Sequence, residues 1–232
     1  MNQTRSRLTS PIIFSGILLT LIVVLLSANL RLLAGSTEPP QINGVIIPKA
    51  RELQPFVLHD HTNSVFSNEN LLGRWHFIAY GYTDCPDICP TLLSTLNRLD
   101  GFISRDNQYT DLDVLFYSID PQRDTVEKMS KYVPFFNPEF LGLTHRLDMP
   151  DTHLSFEHSL GMVSQLSPIE QTGSTASGVK DYSVAHGTML YLINPKGQLQ
   201  AIFKPEESDD GRVSFSAEQL YRDYRAVRAH FG

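Results

Sequence analysis

Four nearly continuous apolar runs punctuate this chain, "WHFIAYGY" (75 to 82), "DVLFYSID" (113 to 120), "TMLYLIN" (188 to 194) and "LQAIFK" (199 to 204). Runs of this length and composition predict strands buried on both faces. "QPFVLHD" (54 to 60) predicts a further strand. Between them the period changes from two to about 3.6. After Pro90, Leu92, Leu96, Leu99 and Ile103 recur at steps of three and four and predict one buried helical stripe. Asp124, with Glu127 three residues on, has the form of a capping box opening a second helix over Val126, Met129 and Val133. A third helix is expected from Asp151 to Leu160, stopped by Gly161. A last one is expected to open at Ser216, with Gln219 completing the box and Leu220, Tyr224, Val227 and Phe231 facing inward. Strand, helix, strand, helix and then a hairpin through "NPKG" describe an α/β sandwich. The polar stretch 167 to 183, "SPIEQTGSTASGVKDYS", reads as a mobile loop or hairpin tip before the strand at 188.

The N-terminus follows a different pattern. From Leu8 to Leu30, 23 residues pass without a charge, and at about 1.5 Å of rise each they reach across a ~30 Å hydrocarbon core. No small-residue cleavage site follows, so an uncleaved transmembrane helix is expected over 8–30 rather than a removed signal peptide. Arg5 and Arg7 precede the run and Arg31 alone follows it. The positive-inside bias then leaves tail 1–7 in the cytoplasm and the remaining chain outside it. Residues 31–49 read as a linker, with 50–232 as the folded domain.

Composition narrows the function. The 232 residues carry a net charge of −6, and without the first 35, which hold three arginines and no acid, the charge is −9. An acidic surface of this kind argues against nucleic acid as a partner.

The candidate chemistry is "YTDCPDICPT", which holds the chain's two cysteines, Cys85 and Cys89, each followed by proline. The prolines bias both cysteines away from mid-helix geometry, so a loop running into a helix is expected. Pro90 is then the first helical position and Cys89 the cap, where the helix dipole favours a thiolate. A soft sulfur pair suits Cu(I), and an added imidazole admits Cu(II). A closed zinc site would need more ligands, and a plain disulfide over so short a loop would add little stability. Asp84 and Asp87 read equally as shapers of the local field or as solvated turn carboxylates. Among the eight histidines, His76 reads as a core residue, His59 and His61 as solvated beside a turn, His145, His153 and His158 as surface groups, and His230 as part of a frayed terminus. His186, between the polar stretch and a buried strand, is left as the candidate third ligand.

"TDCPDICP", followed some hundred residues later by "DYSVAHGTMLYLINPKG", resembles the Sco/SenC family over about residues 50 to 205. "YSIDPQRDT" and "GLTHRLD" are similar to further family segments. The resemblance implies a membrane-anchored, thioredoxin-like sandwich with a central mixed sheet flanked by helices. It implies one copper, Cu(I) or Cu(II), at Cys85, Cys89 and His186. It also implies a location in the inner membrane with the domain in the periplasm, or in the intermembrane space of a mitochondrion. The implied task is delivery of copper to the binuclear centre of cytochrome c oxidase subunit II, or to another copper protein. Where the family usually places acidic and serine neighbours around that histidine, this chain has Ala185 and Gly187, so no adjacent carboxylate orients the ring.

Two other classes remain open. A thiol–disulfide oxidoreductase that reduces the cysteines of the oxidase copper site would cycle Cys85 and Cys89 as redox-active residues. Such enzymes usually carry C-x-x-C and a cis-proline, whereas this chain has C-x-x-x-C and Gly187. A peroxidase-like role would need an arginine beside Cys85, and Arg74 and Arg98, the nearest in sequence, read as surface charges.

Overall fold

The computed structural model describes residues 10–33, 38–149, 151–162, 164–168, 182–186, 188–207, 211 and 213–232. The chain divides into two compact units, Met1–Pro39 and Pro40–Gly232. The first contains helix α1 (Ser10–Leu33), 24 residues long. Its described side chains, Ser15 to Ser27, are all exposed. The spanning anchor expected over 8–30 therefore finds a helix at that place, while no helix among the described residues is long and apolar enough to cross a membrane.

The second unit is built on an eight-stranded sheet. Its strands are β1 (Gly44–Glu52), β2 (Val57–Asp60), β3 (Val65–Ser67), β4 (Trp75–Gly81), β5 (Leu112–Ser118), β6 (Leu141–Thr144), β9 (Leu190–Ile193) and β10 (Gln198–Phe203), counting β7 (Ser164–Pro168) and β8 (Tyr182–His186) as a separate hairpin. The spatial order is β1-β10-β9-β4-β5-β6-β2-β3. β4, β5 and β6 run parallel, and the other pairs are antiparallel. A short ribbon, β11 (Glu206–Glu207) with β12 (Val213–Ser214), follows the sheet.

Helices α2 (Ile88–Asp106), α3 (Val126–Phe136), α4 (His153–Leu160) and α5 (Ala217–Phe231) cover the two faces. Side chains alternate along β4, so Trp75, Phe77 and Ala79 meet the buried stripes of α2, α3 and α5, while Ile78 and Tyr80 meet Phe156 and Leu160 of α4. All seven residues of β4 are buried. The expected stripe of α2 is buried in full, Gly161 caps α4 in the left-handed region, and the Ser216 side chain accepts from the Gln219 amide at the start of α5. The "NPKG" turn joins β9 to β10 as anticipated, with Gly197 at φ 73°.

Three expectations need correction. Residues 44–49, assigned to the linker, belong to β1, which pairs with β10. The pattern failed because an edge strand holding Pro48, Lys49 and Arg51 is only half covered and lacks a continuous apolar run. Asp124 is not a helix cap: Thr125 caps α3 by accepting from the Lys128 amide, and Asp124 turns inward. α2 begins at Ile88, two residues before Pro90. Proline fits there because amides of the first helical turn have no intrahelical partner to lose. The polar stretch is framed by β7 and β8, which pair as a hairpin. Its central residues, 169–181, lie outside the described ones, as do tail 1–7 and Gly187.

His76 is a core residue, as expected, 2% exposed within β4. Burial lowers its pKa from the ordinary 6.5, against the opposing pull of the Asp113 carboxylate 3.7 Å away. The unfolded chain therefore binds this proton more readily than the folded one, and stability falls as pH drops below about 6.5 until the folded-state pKa is reached. Denaturant titrations at stepped pH are expected to show this loss, and His76→Leu to remove up to about 1.4 kcal/mol per pH unit of its slope. An unchanged slope in that variant would assign the acid sensitivity to other groups.

Candidate metal centre

The chain leaves β4 at Gly81 and enters α2 at Ile88, so the cysteine loop sits at the C-terminal end of the most buried strand. Neither cysteine is in a disulfide, and both are buried, Cys85 at 8% and Cys89 at 1% exposure. The Cys85 amide donates to the Tyr82 carbonyl at 3.2 Å. The Cys89 amide, in the first turn of α2, donates to Cys85 Sγ at 3.3 Å. That N–H stabilises negative charge on the Cys85 sulfur.

Cys89 departs from the sequence expectation. Its thiol is pushed far above the usual thiol range, first by the hydrogen bond it shares with Cys85 and then by burial. These effects outweigh the helix dipole, because the two sulfurs compete for one negative charge in a site with little water. Gly81 permits the close approach: a Cβ at this position would collide with Cys89 Sγ and press on the Phe116 ring at 3.3 Å.

Three successive loop residues are tied to the segment that follows β5. The Tyr82 ring lies under the Arg123 guanidinium, 5.6 Å from its centroid. Thr83 donates to the Asp124 carboxylate through its amide at 2.9 Å and through its hydroxyl. Asp84 pairs with Lys128 at 2.7 Å. Asp124 is 1% exposed and also accepts from Ser118 Oγ at 2.6 Å, while Lys128 Nζ stands 3.6 Å away. Local sequence gave no sign of this role, since Asp next to Thr at a helix start reads as capping; the "D" of "YSIDPQRDT" becomes informative only once β4 and β5 lie side by side. Asp84, half exposed, acts as an ion-pair partner. Asp87 provides the backbone N-cap of α2 with no side-chain capping bond.

His186 ends β8, where it pairs in register with Ser164. Four residues later Leu190 opens β9 opposite Ala79 of β4 in an antiparallel pair. The backbone therefore enters β9 at the same end of the sheet from which β4 leads into the cysteine loop. The other histidines are placed more specifically than their sequence contexts implied. His59 and His145, expected at the surface, are 7% and 4% exposed. The reason is pairing across β2 and β6, in which His59 faces Thr144, a contact made across more than eighty residues of chain. His61 Nδ1 accepts from the Gly142 amide at 2.9 Å. Arg74 pairs with Asp113 at the opposite end of β4 and Arg98 with Glu218, so neither is engaged with the cysteine loop.

The helix-flanked mixed sheet is shared with known proteins. The SCO1/SenC family model matches residues 46–219, and the chain belongs to this family. A Stutzerimonas stutzeri protein named for copper binding is 32% identical over 171 residues, covering 74% of this chain and 78% of its own. The human mitochondrial SCO1 homolog is also 32% identical over 171 residues, covering 74% of this chain and 53% of its own. The chain thus spans about half the length of the mitochondrial relatives it matches. The structure of Arabidopsis thaliana ScoI with copper bound is 28% identical with a TM-score of 0.62, covering 76% of this chain and 98% of the other. That of yeast Sco1 with copper bound is 25% identical with a TM-score of 0.61, covering 78% and 91%. The fold is thioredoxin-like.

Removing the Asp124 carboxylate leaves buried donors without an acceptor, at about 1–3 kcal/mol each. Asp124→Ala is expected to destabilise the domain by about 2–4 kcal/mol in denaturant titration. It is also expected to speed alkylation of the cysteine thiols under native conditions. Unchanged thiol reactivity would show that the clamp does not hold the loop.

Proposed function

We propose that this chain carries one copper ion on Cys85, Cys89 and His186 and delivers it to the copper centre of cytochrome c oxidase subunit II. The observation that carries this reading is the pair of buried, mutually hydrogen-bonded cysteine thiols at the end of β4, at the same end of the sheet where the chain from His186 enters β9. Copper bound in the Arabidopsis and yeast structures, and the copper-binding name of the Stutzerimonas relative, support the choice of ion.

The donor set fits that ion. Two sulfurs in hydrogen-bond reach of each other offer a soft monovalent cation a site once their protons are released, and an imidazole extends the site to Cu(II). Copper here is cargo. Three protein ligands leave it open to an incoming sulfur from the recipient, and the exposed Asp84–Lys128 pair beside the loop gives that recipient charged groups to meet. Ala185 leaves the imidazole without an adjacent carboxylate, so second-shell orientation must come from elsewhere in the chain.

Placement follows from the N-terminal segment. The anchor reading rests on the sequence, in which the 23 uncharged residues from Leu8 to Leu30 would reach about 34 Å as one helix. With Arg5 and Arg7 ahead of it, tail 1–7 is cytoplasmic and the domain faces the periplasm, or the intermembrane space in a mitochondrion.

A second reading has its own support. The Cys89 amide bond to Cys85 Sγ and the thiol–thiol hydrogen bond are also what a dithiol that reduces the recipient's cysteines requires. Turnover on an oxidised copper-site peptide, with a reductant supplied, separates the two.

The full chain, purified with reduced thiols, is expected to hold one copper per monomer. His186→Ala is expected to weaken Cu(II) at least tenfold and Cu(I) less. Copper affinity untouched by that substitution removes His186 from the site. Gly81→Ala, which forces Cys89 Sγ to move, is expected to lower Cu(I) affinity at least tenfold in competition with a chromogenic chelator while the circular dichroism stays native. Equal affinity would mean that the sulfur position is not critical.

A further inference from the structure

A second group of metal-ligating side chains stands on the other face of the sheet. β6 ends at Thr144, and His145 follows it directly; α4 opens at His153. The start of α4 is fixed to β2, since Thr152 Oγ1 donates to the Val57 carbonyl at 3.1 Å and accepts from the Val57 amide at 3.3 Å. These anchors bring the His145 and His153 rings together with centroids 3.8 Å apart and planes 26° apart. Asp151 Oδ1 lies 3.8 Å from His145 Nε2. One donor atom from each of the three residues falls within 4.8 Å of the other two.

Two imidazoles stacked this way gain little from each other as cations, and burial lowers the pKa of both. His153 Nδ1 is buried with no hydrogen-bond partner. An unsatisfied, neutral ring nitrogen beside a second neutral ring and an exposed carboxylate is the donor pattern of a divalent cation site. The surrounding charges are already engaged. Arg146 is held by both oxygens of Asp148, at 2.9 and 2.6 Å, and Glu157 accepts from the Tyr117 hydroxyl at 2.6 Å.

We infer that His145, His153 and Asp151 form a second metal site, separate from the cysteine pair, that takes a divalent cation with a preference for imidazole, of the class of Zn(II), Ni(II) or Cu(II). β5 lies between the two sites within the sheet, and α4 packs on the face opposite α2. The sulfur pair selects a soft monovalent ion and the N₂O group a borderline divalent one, so one chain would sort two kinds of cation. Two nitrogens and one oxygen leave coordination positions to water, which makes the site exchangeable rather than structural.

The test uses the full chain carrying Cys85→Ser, Cys89→Ser and His186→Ala, with Cu(II) as the added metal. One Cu(II) per chain is expected, with an electron paramagnetic resonance spectrum showing coupling to two imidazole nitrogens. Adding His153→Gln or, because His145 is deeply buried, the surface change Asp151→Asn is expected to weaken that copper at least tenfold and at least threefold respectively, with native circular dichroism. A triple variant that retains no Cu(II), or one whose copper is indifferent to both added substitutions, overturns the second site. Neither result bears on copper at the cysteines, which the unmodified chain reports separately.

Discussion

One buried carboxylate organises the sulfur site. Asp124 receives the amide and hydroxyl of Thr83 from the cysteine loop and the hydroxyl of Ser118 from the end of β5. Without them a carboxylate 1% exposed would face a desolvation cost of several kcal/mol. With them it becomes the fixed point from which the loop is measured. The backbone at Thr83 is two residues from Cys85, so its position sets where the first sulfur lies, and the first turn of α2 sets the second. The Thr144 hydroxyl, donating to the Asp124 carbonyl at 3.0 Å, extends the same connection to β6.

The parallel strands share a plan. β4 delivers the cysteine loop, β5 delivers Asp124, and β6 delivers His145, each at its carboxyl end. Loops that leave parallel strands at that edge are held by a rigid sheet yet free in sequence, and chemistry accumulates there. The faces then divide the work: α2 closes over the sulfurs from one side, while α4 brings its imidazole from the other.

Much of this was readable from the chain alone, where the signal was local and strong. β4, β5, β9 and β10 are continuous apolar runs, the α2 stripe keeps helical period, and Ser216 with Gln219 marks the start of α5. β1 was lost in the linker because its outer edge is wet, and β6 because four residues are too few to show a period. The cysteine pair announced itself by spacing, but its support did not. Asp124 looks like a cap until β5 is placed beside β4, and His59 and His145 look solvated until β2 is placed beside β6. In each case the deciding partner lies tens of residues away, beyond the reach of any window on the sequence.

The sheet's two margins carry a consequence for crowded chains. β3 is three residues long, and β1 breaks register between Ile46 and Arg51 around Pro48 and Lys49. An outer strand this short, or this irregular and charged, offers no straight ladder onto which a neighbouring molecule can zip. Many copies can therefore stand side by side at high local density without pairing edge to edge and seeding fibrils.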